Sequence, residues 1–154
     1  MKDKYSFMAS KEVKQFLKLI NDQYGILPKQ IKENALVLGK EKIYLITRSI
    51  DNISLENLRI NSIGLYIAEV KANEQIRLSI EGSQLIGPIA TKNVCEVNEE
   101  QMKEWIQGKD IEMTGDYSGF VIIKYKTDHL GSGKYKDGMI FNYVPKARRL
   151  VQVH

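Results

Sequence analysis

Lysine, arginine and tyrosine crowd the last quarter of this 154-residue sequence: Lys124, Tyr125 and Lys126, then Lys134, Tyr135 and Lys136, then Tyr143, Lys146, Arg148 and Arg149. Cations at that density attract phosphates, and flat rings among them can meet unpaired bases, so the chemistry on offer is binding of a polyanion. Other chemistry finds little support. With two histidines, His129 and His154, and one cysteine, Cys95, a Cys/His zinc set cannot be assembled from a single chain. No G-x-x-x-x-G-K-[ST] or G-x-G-x-x-G occurs, and Gly131-Ser-Gly133 before Lys134 lacks both spacings, so it reads as a glycine-rich strand. Cys95 lies between Val94 and Glu96 with no identifiable partner histidine, and reads as a packing residue rather than a nucleophile. No catalytic residue, metal or cofactor is expected.

The charge is polarised along the chain. The total is 23 Lys and Arg against 19 Asp and Glu, a net +4. Residues 1–80 carry +4 (13 basic, 9 acidic), residues 81–116 carry −5 (3 and 8), and residues 117–154 carry +5 (7 and 2). A polyanion would dock at the basic end. The competing reading is that these lysines keep exposed strands from pairing with other chains. The longest stretch without charge, Gly82 to Thr91, is ten residues and contains Gly87 and Pro88. A membrane span needs roughly 20 apolar residues, so none is expected, and Met1-Lys-Asp-Lys-Tyr5 does not begin like a secretory leader. A cytoplasmic location is the expectation.

Elements that would hold these residues can be read from periodicity. Val13, Phe16, Leu17, Ile20 and Tyr24 recur at helical spacing, with Ser10 as N-cap, Gly25 just past the end and Pro28 barring continuation. Ala35–Leu38 and Ile43–Ile46 form a hairpin around Gly39–Lys42, Ser54–Leu58 a short helix, and Ile63–Val70 a strand. Ser79 caps a helix ending at Gly87-Pro88, and Val94–Val97 is a short strand. Asn98 and Gln101 make a capping box for a helix that buries Met102, Trp105 and Ile106 and stops at Gly108. From residue 117 the pattern is all β: Gly119–Lys126, a turn at Thr127-Asp128, His129–Lys136, a type I′ turn at Asp137-Gly138, and Met139–Val144 up to Pro145. The expected fold class is α+β, with two closely packed domains, residues 1–75 and 76–154.

Three runs, Gly115-Asp-Tyr-Ser-Gly-Phe-Val-Ile-Ile-Lys-Tyr-Lys126, Leu130-Gly-Ser-Gly-Lys-Tyr135 and Asn142-Tyr-Val-Pro-Lys-Ala-Arg-Arg149, together resemble a PUA domain, an RNA-binding module. Arg77-Leu-Ser-Ile80, Gln84-Leu-Ile-Gly-Pro88 and Ala90-Thr-Lys-Asn-Val94 are similar to the segment joining the two domains of Nip-type ribosome-biogenesis factors. The C-terminal run is also similar to PUA domains attached to archaeal RNA cytosine methyltransferases. The resemblance implies an N-terminal α/β domain before a PUA-like β pseudobarrel, and RNA binding without catalysis in ribosome biogenesis or rRNA processing. It points to an rRNA precursor or tRNA as partner, with pre-ribosomal proteins or an RNA-modifying enzyme as further candidates. The alternative is an accessory RNA-binding or protein-interaction subunit of a methyltransferase or pseudouridine synthase.

The expected RNA-binding residues are Lys124, Lys126, Lys134, Lys136, Lys146, Arg148 and Arg149, with the segment after Pro145 foremost because arginine forks grip phosphates at two points. Strand alternation sets Lys124 and Lys126 opposite Tyr125, and Lys134 and Lys136 opposite Tyr135. If the lysines face outward, Tyr125 and Tyr135 are core residues. A rival role for the arginines is pairing with the acidic helix at Glu99, Glu100 and Glu104. A rival docking face, for a protein, is the acidic 96–116 stretch.

Overall fold

The computed structural model describes residues 5–46 and 64–150, so the helix expected at Ser54–Leu58 lies outside the described residues. Strands β1 (Tyr5–Phe7), β2 (Ala35–Gly39), β3 (Lys42–Ile46), β4 (Leu65–Lys71) and β5 (Gln75–Leu78) form one antiparallel sheet in chain order. Strands β6 (Val94–Glu96), β7 (Ile111–Glu112), β8 (Gly119–Tyr125), β9 (Asp128–Lys136) and β10 (Met139–Asn142) form a second sheet in the order β6-β8-β9-β10-β7. Here β6 runs parallel to β8 and the other pairs are antiparallel. Helix α1 (Ser10–Tyr24) covers the first sheet, α2 (Lys29–Glu33) leads into β2, α3 (Ile80–Ile86) connects the sheets, and α4 (Glu99–Ile106) covers the second. The class is α+β. No described helix is long and apolar enough to cross a membrane.

Local chemistry accounts for most element ends. Gly25 takes the left-handed conformation (φ 76°) and its N–H closes α1 on the Asn21 carbonyl. The cap at the other end is Ala9 rather than Ser10: the Glu12 carboxylate reaches back to accept from the Ala9 N–H at 2.9 Å, which is the half of a capping box that needs no side chain at the cap. The Asn98–Gln101 box closes in both directions at 2.8 and 2.9 Å. Asp137 and Gly138 both have positive φ, 51° and 79°, as a type I′ hairpin requires. The β8–β9 turn falls at Lys126-Thr127, with Lys126 at φ 53°, one residue earlier than Thr127-Asp128. The first hairpin likewise turns in two residues, Lys40 and Glu41.

Two cores fill the molecule. One gathers Phe16, Ile20 and Tyr24 of α1 with Leu36, Ile43, Ile67, Ile76 and Leu78 of the first sheet, and also takes Ile86 of α3 and Ile122 of β8. The other lies under α4, where Trp105 is fully buried with Val121, Ile123 and Ile140, and donates its indole N–H to the Leu130 carbonyl at 2.9 Å. Gly133 leaves room for the edge of that indole. Tyr125 and Tyr135 pack against this second core, so both are core-facing while Lys126 and Lys136 are exposed. Gly82 sits on the Ile67 carbonyl, where any Cβ would collide, and this lets α3 lie directly on β4.

The sheets meet through side chains. The Gln23 amide accepts from the Ile76 N–H at 2.9 Å and donates to the Ile76 carbonyl at 3.1 Å and the Phe120 carbonyl at 2.9 Å. Tyr24 adds its hydroxyl to the Ile76 carbonyl, and Asn93 donates to the Gln23 carbonyl at 2.7 Å while accepting from the Ser118 N–H. Burial pushes the Tyr24 phenol far up, so it stays a neutral donor.

Two expectations follow from this packing. Gln23→Leu keeps the bulk but takes the amide partner from the Ile76 N–H and the Phe120 carbonyl, leaving the Ile76 carbonyl to Tyr24 alone, and each unsatisfied buried group costs about 1–3 kcal/mol. Urea unfolding should show a loss of about 2–4 kcal/mol, and a loss below about 0.5 kcal/mol would show that the junction does not depend on this amide. The second concerns His129, buried against Gly87 with Nε2 unpartnered among the described residues. Burial holds its pKa below the ordinary 6.5, Lys124 adds to that, and Asp128 opposes it. The unfolded chain therefore binds this proton first, so stability should fall as pH drops below about 6.5 and level off below the folded pKa. Between pH 7.5 and 5 the melting temperature of wild type should fall more steeply than that of His129→Gln; parallel slopes would exonerate the histidine.

Candidate nucleic-acid interface

Between the sheets, β5, the start of α3, the glycine run of β9 and the chain after β10 enclose a cleft of about 70 Å³. Its walls include Arg77, Ser79, Glu81, Gly131, Tyr143 and Arg148. Ser79 holds the floor together, donating to the Tyr66 carbonyl at 2.6 Å and accepting from the Gly82 N–H at 2.9 Å. Gly131 takes φ 96°, and its N–H donates to the Ser83 hydroxyl, so main chain rather than side chain faces the opening.

A run of cations and rings leads away from the cleft wall at Arg77 and Tyr143. The Arg77 guanidinium lies 4.9 Å from the centre of the Tyr143 ring; Tyr143 meets Phe120 edge-on at 5.6 Å; Lys134 sits 5.8 Å from the Phe120 ring. Tyr143 remains 40% exposed, so it is a ring that a base can reach, unlike Tyr125 and Tyr135. Arg77 is oriented from behind by Glu69 at 2.9 Å, and Glu69 also accepts from the Tyr66 hydroxyl at 2.8 Å and from Lys71 at 3.2 Å. Burial disfavours the Glu69 carboxylate, yet Tyr66, Arg77 and Lys71 outweigh it and hold its pKa below the usual range. The glutamate is thus a fixed anion.

The seven expected cations do not form one patch. Lys124 and Lys126 stand at one end of the β8–β9 hairpin, with Lys126 over the Tyr125 ring at 5.3 Å. Lys134 and Lys136 are toward the other end, roughly 15–25 Å away by strand rise. The chain after Pro145 forms a single 3-10 turn, Lys146–Arg148, folded back on the domain. Arg148 grips both carboxylate oxygens of Glu81, at 3.0 and 2.9 Å. Arg149 donates to the Val144 carbonyl at 2.9 Å and lies across Gly108, and the Leu150 N–H bonds to the Ile106 carbonyl. The arginines therefore engage α3 and main chain, not Glu99, Glu100 or Glu104. Lys146 is exposed and has no ion pair among the described residues. Of the seven, Arg148 lines the cleft; Lys134 is linked to it through the Phe120 and Tyr143 rings, and Lys146 follows Pro145 at its edge.

Sequence reasoning did not single out Arg77 or Glu81. Arg77 could have been found, because Ile76-Arg-Leu78 alternates and turns the arginine outward. Its partner across the cleft, Tyr143, is 66 residues away and leaves no local trace.

Comparison with known proteins agrees with this architecture. Residues 92–150 match the family model described as the methyltransferase RsmF PUA domain. Two relatives are named ribosomal RNA small subunit methyltransferase F: one from Aeromonas salmonicida, 25% identical over 92% of this chain, and one from Aeromonas hydrophila, 27% identical over 90%. The chain spans only 29% and 28% of their lengths. A solved PUA domain from Aeropyrum pernix, in complex with tartrate, superposes over 90% of this chain and 74% of its own with a TM-score of 0.55 at 11% identity. By the family match over residues 92–150 and the shared fold, the C-terminal part of this chain has the fold of a PUA domain and is similar to the PUA region of those methyltransferases.

Proposed function

We propose that this chain is a non-catalytic RNA-binding protein that docks RNA in the cleft between its sheets. The observation that carries the reading is the line Arg77, Tyr143, Phe120 and Lys134 on a domain with the PUA fold, continued by Arg148 and Lys146 across the opening. Cations there meet phosphates and Tyr143 offers a face to an unpaired base. The names of the relatives support ribosomal RNA as the ligand and a cytoplasmic role in ribosome biogenesis or rRNA processing. Residues 1–75 and 76–154, in this reading, are a supporting α/β domain and the RNA-binding domain.

A second reading has its own observation. The relatives are named as methyltransferases, and in this reading the chain is an accessory RNA-docking subunit of an RNA-modifying enzyme. Co-purification with such an enzyme that survives ribonuclease treatment and Tyr143→Ala would favour it; co-purification lost with the RNA would count against it.

The test of the main reading is salt-dependent RNA affinity. Each phosphate contact to a single strand contributes roughly 0.7 to the slope of log affinity against log salt. Lys146→Ala with Arg148→Ala should flatten that slope by about 1.4, and Tyr143→Ala should weaken binding about tenfold through lost stacking. Lys126→Ala should change little. The melting temperature should move little in the lysine–arginine pair variant, since the Arg148–Glu81 pair is half in solvent and such pairs contribute about 0–1 kcal/mol. An unaltered slope and affinity in all three variants would remove the cleft from RNA binding.

A further inference from the structure

The face of the first sheet that turns away from α1 carries three tyrosines in adjoining rows: Tyr5 on β1, Tyr44 on β3 and Tyr66 on β4. Tyr5 pairs with Gly39 and lies flat upon it; a Cβ at that glycine would come within 2.5 Å of the ring. Tyr5 meets Tyr44 edge-on with ring centres 5.8 Å apart, and Tyr44 lies 5.9 Å from Tyr66. The Lys42 ammonium is 4.9 Å from the centre of the Tyr66 ring. Tyr5, Tyr44 and Lys42 border an open trough of about 720 Å³ whose rim also carries Lys40, Glu41 and Glu69, and Tyr66 stands between this trough and the cleft.

The trough has a small excess of cations. Lys40 and Lys42 line it beside Glu41 and Glu69, and Lys71, which bonds to both carboxylates, adds a third cation against the two. Arg77, which belongs to the cleft, bonds to Glu69 as well. The trough is also continuous with the cleft. Tyr66 and Arg77 line the cleft, while Glu69 lines the trough and holds both of their polar ends. A groove bounded by rings and cations, leading away from a basic cleft, complements a chain that alternates flat bases with phosphates. Single-strand sites on sheets are built this way.

We propose that this trough is a second stretch of the RNA path, in which a single-stranded segment leaving the cleft past Arg77 stacks on Tyr66 and Tyr5 and places a phosphate against Lys42. The proposal rests on the reading of the cleft as an RNA site. It makes the first sheet part of the ligand surface rather than a support alone.

Two oligoribonucleotides, of about 4 and about 12 nucleotides, bracket the span of single-strand sites and separate the two ideas. Lys42→Glu should weaken binding of the longer one at least fivefold and flatten its salt slope by about 0.7, with the shorter one unaffected. Tyr5→Phe should bind like wild type, Tyr5→Ala about tenfold more weakly to the longer RNA. Ultraviolet crosslinking of the longer RNA to wild type should label Tyr5 or Tyr66. Because Lys42 is exposed, its variant is expected to fold, and a melting curve on the same sample checks this. Wild-type affinity and slope for Lys42→Glu on the longer RNA, as a protein-docking role for this face would give, overturns the trough while the cleft stands. Failure of wild type to bind either RNA overturns both.

Discussion

The side chain of Gln23 does for two sheets what a backbone ladder does within one. The N–H and C=O of Ile76 point away from β4, toward β8, and would be an exposed strand edge. An amide side chain carries one donor group and one acceptor, the same pair a neighbouring strand would present, and Gln23 offers both to Ile76. Its second N–H reaches the Phe120 carbonyl, beyond the stretch where β6 pairs with β8. The last turn of α1 thus stands in for a strand, and the edges of two sheets are satisfied without being fused. A glutamate there would have no donors to give, and an aliphatic residue would leave the edges bare.

That junction fixes the cleft. Ile76 and Arg77 are adjacent on β5 and point to opposite faces: the first into the shared core, the second over Tyr143. Phe120 supplies the Gln23 acceptor through its backbone and the edge of Tyr143 through its ring. The relative height of β5 and β8, set by one amide, therefore decides whether Arg77 stacks on Tyr143. Arg148 closes the far wall through Glu81, a residue of the helix that Gly82 lets settle onto β4.

What the sequence disclosed and what it hid divide by range. Helix α1, the Asn98–Gln101 box and the Asp137-Gly138 turn are local devices whose partners lie within four residues, and each is visible as spacing. Strands β1 and β7 have three and two residues, too short for any period to register, and α2 has five. The basic segment after Pro145 was legible as charge but not as posture. Arg148 finds Glu81 across 67 residues and Arg149 turns to main chain, so of a run that reads as three free cations only Lys146 has neither an ion pair nor a side-chain hydrogen bond among the described residues. The tyrosine row is hidden for the same reason, since its members come from three strands.

Glu69 shows how a negative charge can serve an anion-binding surface. Buried to 7% exposure, it would be costly alone, and removing its partners would leave an uncompensated charge. Its three partners are all residues that face outward: Tyr66, Lys71 and Arg77. Long cationic side chains lose rotamer freedom when they bind a ligand, and a carboxylate that already holds them removes part of that loss beforehand. Arg77 can give one edge of its guanidinium to Glu69 and keep its face on Tyr143, an option that a lysine's point charge does not have. The carboxylate lowers the net charge of the surface by one and in exchange fixes the direction of two cations and a ring, which is the better bargain wherever orientation rather than charge limits recognition.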